Sequence, residues 1–283
     1  MIVPSLMDGL LLGFVYGIAA MGLSLIWGVM DVINLAHGPI IALGMFGIYL
    51  GFTGLGLNPY LTLLLVAAGG LLLGVLIYWM AVQRVINAPH LSTLLATFAV
   101  NMIIIGIATA VFTTSPRNVD FSLGSFFLGP VTIPWTRLLA ALASVLVTGL
   151  LYLFLYRTRP GKAIRAVSDN RAAAELMGIP TSWILALAFG LGTMFAAISG
   201  GLIATFFPFT ILAGGSYELK SFVICVLGGL GNPLGALIGG LLLGALEGII
   251  PAFMETSWVP VLEFVLFVLI LLVRPQGLLG SKT

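Results

Sequence analysis

Nine stretches of this chain run for 13 to 25 residues with at most two charged side chains each, and that property narrows its possible folds more than any motif does. They fall at 6–29, 36–53, 60–82, 91–112, 137–156, 183–207, 218–230, 235–250 and 259–273. About 20 apolar residues carry a helix across a bilayer. Hydrophobic residues make up 60% of the 283 positions and charged residues only 7%, against about 25% charged in an average soluble domain. So few charges cannot coat a water-facing globule of this length. The stretches are continuous rather than alternating apolar and polar, which disfavours a barrel. The expected fold class is therefore all-α: a polytopic integral membrane bundle of eight or nine transmembrane helices, forming one domain over residues 1–283.

The same arithmetic removes several functions. The net charge is only +2 and the cations cluster in one short segment, which speaks against nucleic-acid binding. One cysteine, Cys225 in an apolar run, provides neither a disulfide framework nor a thiolate metal site. No Lys or Arg precedes Arg84, so the first run lacks the basic flank of a cleaved signal peptide and is expected to stay in place.

Two polar gaps interrupt the runs. Residues 113–136, rich in Ser, Thr, Gly and Pro with Phe121, Phe126, Phe127 and Trp135, read as an external loop at the membrane interface. Residues 157–182 hold five cations and two carboxylates, a net +3 in a chain of +2. The excess of basic residues puts this loop in the cytoplasm. Even numbers of spans separate it from Arg84 and from Arg274, so all three basic regions, and the C-terminus, are expected on that side. The segment Gly228–Gly235 reads as a break between two short spans, with a re-entrant turn as the alternative.

Gly9, Gly13 and Gly17 recur every fourth residue, as do Gly240, Gly244 and Gly248. Such spacing places each set on one helix face, where backbones approach closely. Static packing and a face that slides during a conformational cycle both fit.

Within the basic loop, Ser168 and Asp169 suit a helix N-terminus, Ala172 to Ala174 favour helix, and Gly178 with Pro180 ends it. The expectation is one helix of about nine residues, roughly 14 Å long. A helix that short is marginal unless something packs on it. It either ties two spans together or docks a soluble partner.

Four separated segments make the chain recognisable. DVINLAHG at 31–38 follows the Gly-rich first run, and RAVSDNRAAAELMGIP, FVICVLGGLGNPLGALIGGLLLGALEG and VRPQGLLG follow in order. Together they resemble the permease subunits of branched-chain amino-acid ABC importers. The resemblance implies an inner-membrane permease working by alternating access with a second, homologous permease (as a hetero- or homodimer), two cytoplasmic ABC ATPases and a periplasmic substrate-binding protein. It also implies that the 165–180 loop is the coupling helix, with Ser168, Asp169, Asn170, Arg171, Ala173, Ala174, Glu175 and Gly178 meeting the ATPase. Ala172 departs from the family, which often has Glu there; its polar contact then falls to Asp169, Arg171 or Glu175. A urea or short-chain amide importer is the alternative within the family, and an ion-coupled secondary transporter the alternative outside it.

No catalytic or metal-binding set emerges. The tail Gly280-Ser-Lys-Thr283 lacks the glycines of a phosphate-binding loop, so the chain is expected to be no enzyme and to bind no cofactor, with ATP and Mg held by the partner ATPase. Ser199 lacks the flanking glycine of an intramembrane protease, and both histidines precede it. At membrane depth, Asn34, His37 and Glu247 are candidates for the pathway or gate, since polar groups there are costly. Glu263 reads as an interfacial anchor.

Overall fold

The computed structural model describes residues 2–128, 131–274 and 276–280. Eight helices among them are long and apolar enough to cross a membrane. The first is α1 (Ile2–Met30) and the second α2 (His37–Leu55). The third spans Pro59–Val85: α3 (Pro59–Ile77), a π-helical turn (Tyr78–Val82) and α4 (Gln83–Val85). Then come α5 (His90–Phe112), α6 (Trp135–Arg157) and α9 (Thr181–Ile203). The last two are α11 (Pro233–Ile249), prolonged by a 3₁₀ turn, and α12 (Val259–Val273), which a 3₁₀ turn precedes.

The run read as a ninth span is α10 (Ala213–Gly228), 16 residues long. Sequence supplies several of the stops. Asn58 accepts from the Tyr60 N–H with Pro59 at the first turn, and Asn232 does the same for Leu234 and Gly235 before Pro233, the Asx-plus-proline start that satisfies orphan N–H groups. Gly56 ends α2 in the left-handed region at φ 63°.

α1 and α9 form the core and are buried along nearly their whole length. They cross antiparallel at Gly22 and Gly192, and the Ser199 hydroxyl donates to the Val15 carbonyl at 2.9 Å. The two glycine rows meet across α1 and α11: a Cβ on Gly244 would stand 2.5 Å from the Gly13 Cα, and one on Gly240 2.6 Å from the Gly17 Cα. α9 and α3 repeat the arrangement, with Gly190 and Thr193 against Gly70 and Gly74; the Thr193 hydroxyl donates to the Gly70 carbonyl at 2.9 Å.

These pairings describe an inverted repeat. Exchanging α1, α2, α3 and α5 for α9, α10, α11 and α12 maps the main contacts onto one another: α1 on α11 becomes α9 on α3, and α2 on α9 becomes α10 on α1. The Phe46–Phe112 ring pair joining α2 to α5 matches Phe222–Phe267 joining α10 to α12. The two halves run in opposite directions.

One face of the bundle carries the hairpin β1 (Ser125–Leu128) and β2 (Val131–Pro134), with Ser125 opposite Pro134. It also carries the Arg137–Asp8 ion pair (2.9 Å) and a two-bond bridge between Arg117 and Phe209. The loop read at 113–136 thus contains a hairpin, and Trp135 already opens α6; Gly129 and Pro130 lie outside the described residues. The opposite, connector face holds the end of α1, the 158–180 segment, the 229–232 break and the tail. Leu278 and Leu279 donate to the Leu227 and Gly228 carbonyls, and the Ser168 hydroxyl to that of Gly28. The Arg171 guanidinium donates to Asn87 at 3.3 Å. The three basic regions therefore share one face, as the count of spans requires.

Candidate functional site

The second helix begins deep inside the bundle rather than at a surface. α1 ends with Asp31 at φ 52°, and residues 31–36 turn back into the protein. His37 reaches the Ala19 carbonyl with Nε2 at 2.9 Å, and Ala19 lies about 16 Å from the end of α1 at a rise of about 1.5 Å per residue. The other half mirrors this: after α9 the chain turns inward through 204–212, and α10 starts where Gly214 meets Gly38. Two helix N-termini thus converge near mid-depth, with α2 running to the hairpin face and α10 to the connector face. Each inward turn with the helix that follows it completes one crossing, which preserves the parity of the spans.

Backbone at this depth must find partners, since lipid offers none. Asn34 Oδ1 accepts from the Ala36 N–H at 3.1 Å. From α5, Thr97 donates to the Ile33 carbonyl at 3.0 Å and Asn101 to that of Leu35. The Glu218 carboxylate, from α10, accepts from the Gly38 N–H at the positive end of α2, where an anion is favoured.

A cavity of about 490 Å³ opens beside this junction between α5 and α10, within the usual range for small-molecule sites of about 300–1,000 Å³. Asn34, Asn101 and Glu218 provide its polar wall, and Leu94, Phe98 and Phe222 are among its apolar lining. Asn34 is 1% exposed, and its Nδ2 has no partner, nor has Asn101 Oδ1. Burying an amide donor unpaired costs about 1–3 kcal/mol, so the residues beside the cavity hold unspent hydrogen-bonding capacity.

The other candidates sit elsewhere. His37 is fully buried and lines none of the described cavities. Glu247 faces Lys220 of α10 at 2.7 Å; Lys220 also lies 3.5 Å from Glu263 and 5.0 Å from the centre of the Tyr16 ring. Glu263 is 4% exposed, so it is a buried partner of Lys220 instead of an interfacial anchor. Lys220, Glu218 and Asn101 were missed: each falls within an apolar run, where a lone polar residue gives no sign of its partners.

The basic connector forms two helices instead of one, α7 (Arg159–Asp169) and α8 (Arg171–Leu176). Ser168 and Asp169 finish α7. Asn170 starts α8 by accepting from the Ala173 N–H, taking the capping role expected of Ser168. Arg171 and Glu175 pair at 3.6 Å, Thr181 donates to Glu175, and Gly178 turns with φ 80°. Ala174 packs inward while Ala173 faces out. Past Ala173, Leu176 and Met177 project with 89% and 82% of their surface exposed.

The comparisons with known proteins agree over almost the entire chain. The family model described as branched-chain amino acid transport system / permease component matches residues 5–273. The high-affinity branched-chain amino acid transport system permease protein LivH of Salmonella typhimurium is 29% identical over 295 residues, spanning 96% of this chain and 94% of its own. BraD of Pseudomonas aeruginosa, described in the same terms, is 29% identical over 97% of this chain and 94% of its own. Among solved structures, PsaBC from Streptococcus pneumoniae in complex with Fab aligns at TM-score 0.49 and 15% identity, covering 95% of this chain and 92% of that one.

Proposed function

The chain belongs to the branched-chain amino acid transport permease family, and from that premise we propose that it conducts branched-chain amino acids across the inner membrane, powered by separate ATPases. The connector face is cytoplasmic in this reading, as its excess of cations favours. A second permease completes the pathway, two ATPases sit under the connector, and a binding protein delivers substrate from the hairpin face.

One observation carries the reading: α8 holds Leu176 and Met177 out into solvent. A chain working alone has no use for two apolar side chains at 89% and 82% exposure on a short capped helix. They suit an anchor seated in a groove of a soluble partner. Closure of the ATPases would push α8, and through Ser168 and Gly28 the end of α1. The substrate would pass the cavity walled by Asn34, Asn101 and Glu218, whose apolar lining suits an aliphatic side chain. Selectivity would rest mainly with the binding protein, since few polar groups line the passage and a conduit must release what it takes up.

Substituting Ala173→Glu puts a charge on the exposed docking side of α8 while leaving buried contacts untouched. In proteoliposomes holding both permeases, the ATPases and the binding protein, the variant is expected to insert normally and to lose ATP-dependent leucine uptake. Unchanged uptake refutes the docking role. Uptake by the chain without ATPases favours an ion-coupled carrier, and competition by urea but not leucine favours an amide importer.

A further inference from the structure

At the connector face the last turns of α1 and α6, the start of the 229–233 break and the flank of α7 enclose a second cavity of about 380 Å³, distinct from the mid-depth one. Its wall is polar and apolar in similar measure, unlike the greasy grooves elsewhere. Arg165 borders it, with its guanidinium carbon 4.4 Å from the centre of the Tyr156 ring, and Tyr152 stacks on Tyr156 at 6.0 Å and 8°. Ser168 and Asn232 complete the polar side and are held by the Gly28 and Leu279 carbonyls.

The surrounding charge is one-sided. Arg157, Arg159, Lys162 and Arg165 fall within nine residues that contain no carboxylate. None of the four has an ion pair among the described residues. α7 lies with Ile164 and Val167 inward and Lys162 and Arg165 outward, so these cations stay exposed on its outer side with no carboxylate among the described residues to neutralise them. Above Tyr156, Leu142, Leu146, Leu150 and Leu153 form an exposed apolar stripe along α6 that leads from the cavity toward the middle of the bilayer.

We propose that this cavity binds the headgroup of an anionic phospholipid, with the phosphate against Arg165 and the acyl chains along the α6 stripe. Basic pockets between helix ends at the cytoplasmic surface suit such headgroups. A cation stacked on an aromatic ring is held in place without being neutralised, leaving Arg165's guanidinium donors free for phosphate. The stripe is what selects a lipid over free phosphate, since only a lipid has chains to cover it. By tying α6 and α7 to the 229–233 break, the lipid would stiffen the base from which α8 projects. The inference rests on the orientation proposed above. Its test does not, because symmetric nanodiscs offer the same lipid to both faces.

The full chain is purified and placed in nanodiscs of phosphatidylglycerol mixed with phosphatidylcholine, and retained lipid is counted by native mass spectrometry. Phosphatidylglycerol is expected to be retained preferentially, and Arg165→Ala to reduce that preference about five-fold, the worth of one basic residue near an anionic surface. Arg274→Ala, on the same face but outside the cavity, is expected to leave it unchanged. Equal retention of both lipids overturns the site, as does displacement by inorganic phosphate alone, or an Arg165→Ala preference equal to the parent's. If Arg165→Glu releases the ATPases while lipid preference survives, this face is a protein contact and the proposal falls.

Discussion

Lys220 is the residue whose removal most sharply tests how this bundle tolerates charge. It sits between two carboxylates, 2.7 Å from Glu247 and 3.5 Å from Glu263, with only 19% of its side chain exposed. Replacing it with methionine keeps the length and apolar stem but strands Glu247 and Glu263, which keep 23% and 5% exposure. Breaking one side of a buried pair costs about 3–5 kcal/mol; the residual exposure of Glu247 lets water offset part of this, so about 3 kcal/mol is expected. At about 2–4 °C per kcal/mol, the melting temperature should drop about 6–12 °C. The protein offers its own reporter: Cys225 is free and fully buried, so a thiol-reactive fluorogenic dye reads unfolding directly. The control is the triple variant Lys220→Met, Glu247→Gln, Glu263→Gln, which removes all three charges and should recover most of the loss, because apolar or neutral replacement of a whole buried ionic cluster is often tolerated. A single variant that melts with the parent, or a triple variant no better than the single one, refutes the assignment of Lys220 as the counter-charge of both glutamates.

Three further outcomes follow from the same geometry. Gly244→Val places side-chain carbon where α1 backbone already lies, 2.5 Å from Gly13 Cα; it should cost at least about 1–3 kcal/mol by overpacking, whereas Gly106→Ala, with open space around it, should be neutral or slightly stabilising in the same dye assay. Asn170→Ala removes the side-chain acceptor that starts α8, and about 1 kcal/mol of capping with it; amide exchange should quicken in 171–177 alone, and uniform protection would show that α8 does not depend on the cap. Glu218→Gln keeps an acceptor for the Gly38 N–H but loses the charge facing the α2 terminus, worth about 0.3–1 kcal/mol; uptake should fall by more than stability does, and parallel losses would make Glu218 a helix cap and nothing else.

Much of the architecture was legible because bilayer physics writes it in long strokes. Long apolar runs set the helices, Pro59 and Pro233 behind their asparagines set two of the starts, and the four-residue glycine spacing identified two faces that do lie against each other. The connector's place and its Gly178 turn were equally plain. What misled the reading there was competition between adjacent caps: Ser168 and Asn170 both suit a helix start, and choosing needs the knowledge that Ser168 lies inside α7, which runs on to Asp169, with its hydroxyl donating to the Gly28 carbonyl 140 residues away.

The interior was illegible for a different reason. Hydropathy treats each polar residue in an apolar run as an isolated cost, yet here those costs cancel in pairs drawn from distant helices: Lys220 with Glu247 and Glu263, Asn101 with the Leu35 carbonyl, Glu218 with Gly38. The inverted repeat decides which residues meet. It brings the start of α2 to the start of α10, although Gly38 and Gly214 are separated by most of the chain, and two inward turns then need polar partners at the same depth. Those partners come from α5 and α10 because the repeat stands these helices against the junction. Asn34 and Asn101 each spend one amide atom on holding this backbone, and the other amide atom of each is buried without a hydrogen-bond partner. The polar residues beside the cavity are thus a consequence of breaking two helices at mid-depth: the groups that repair the break also border the cavity.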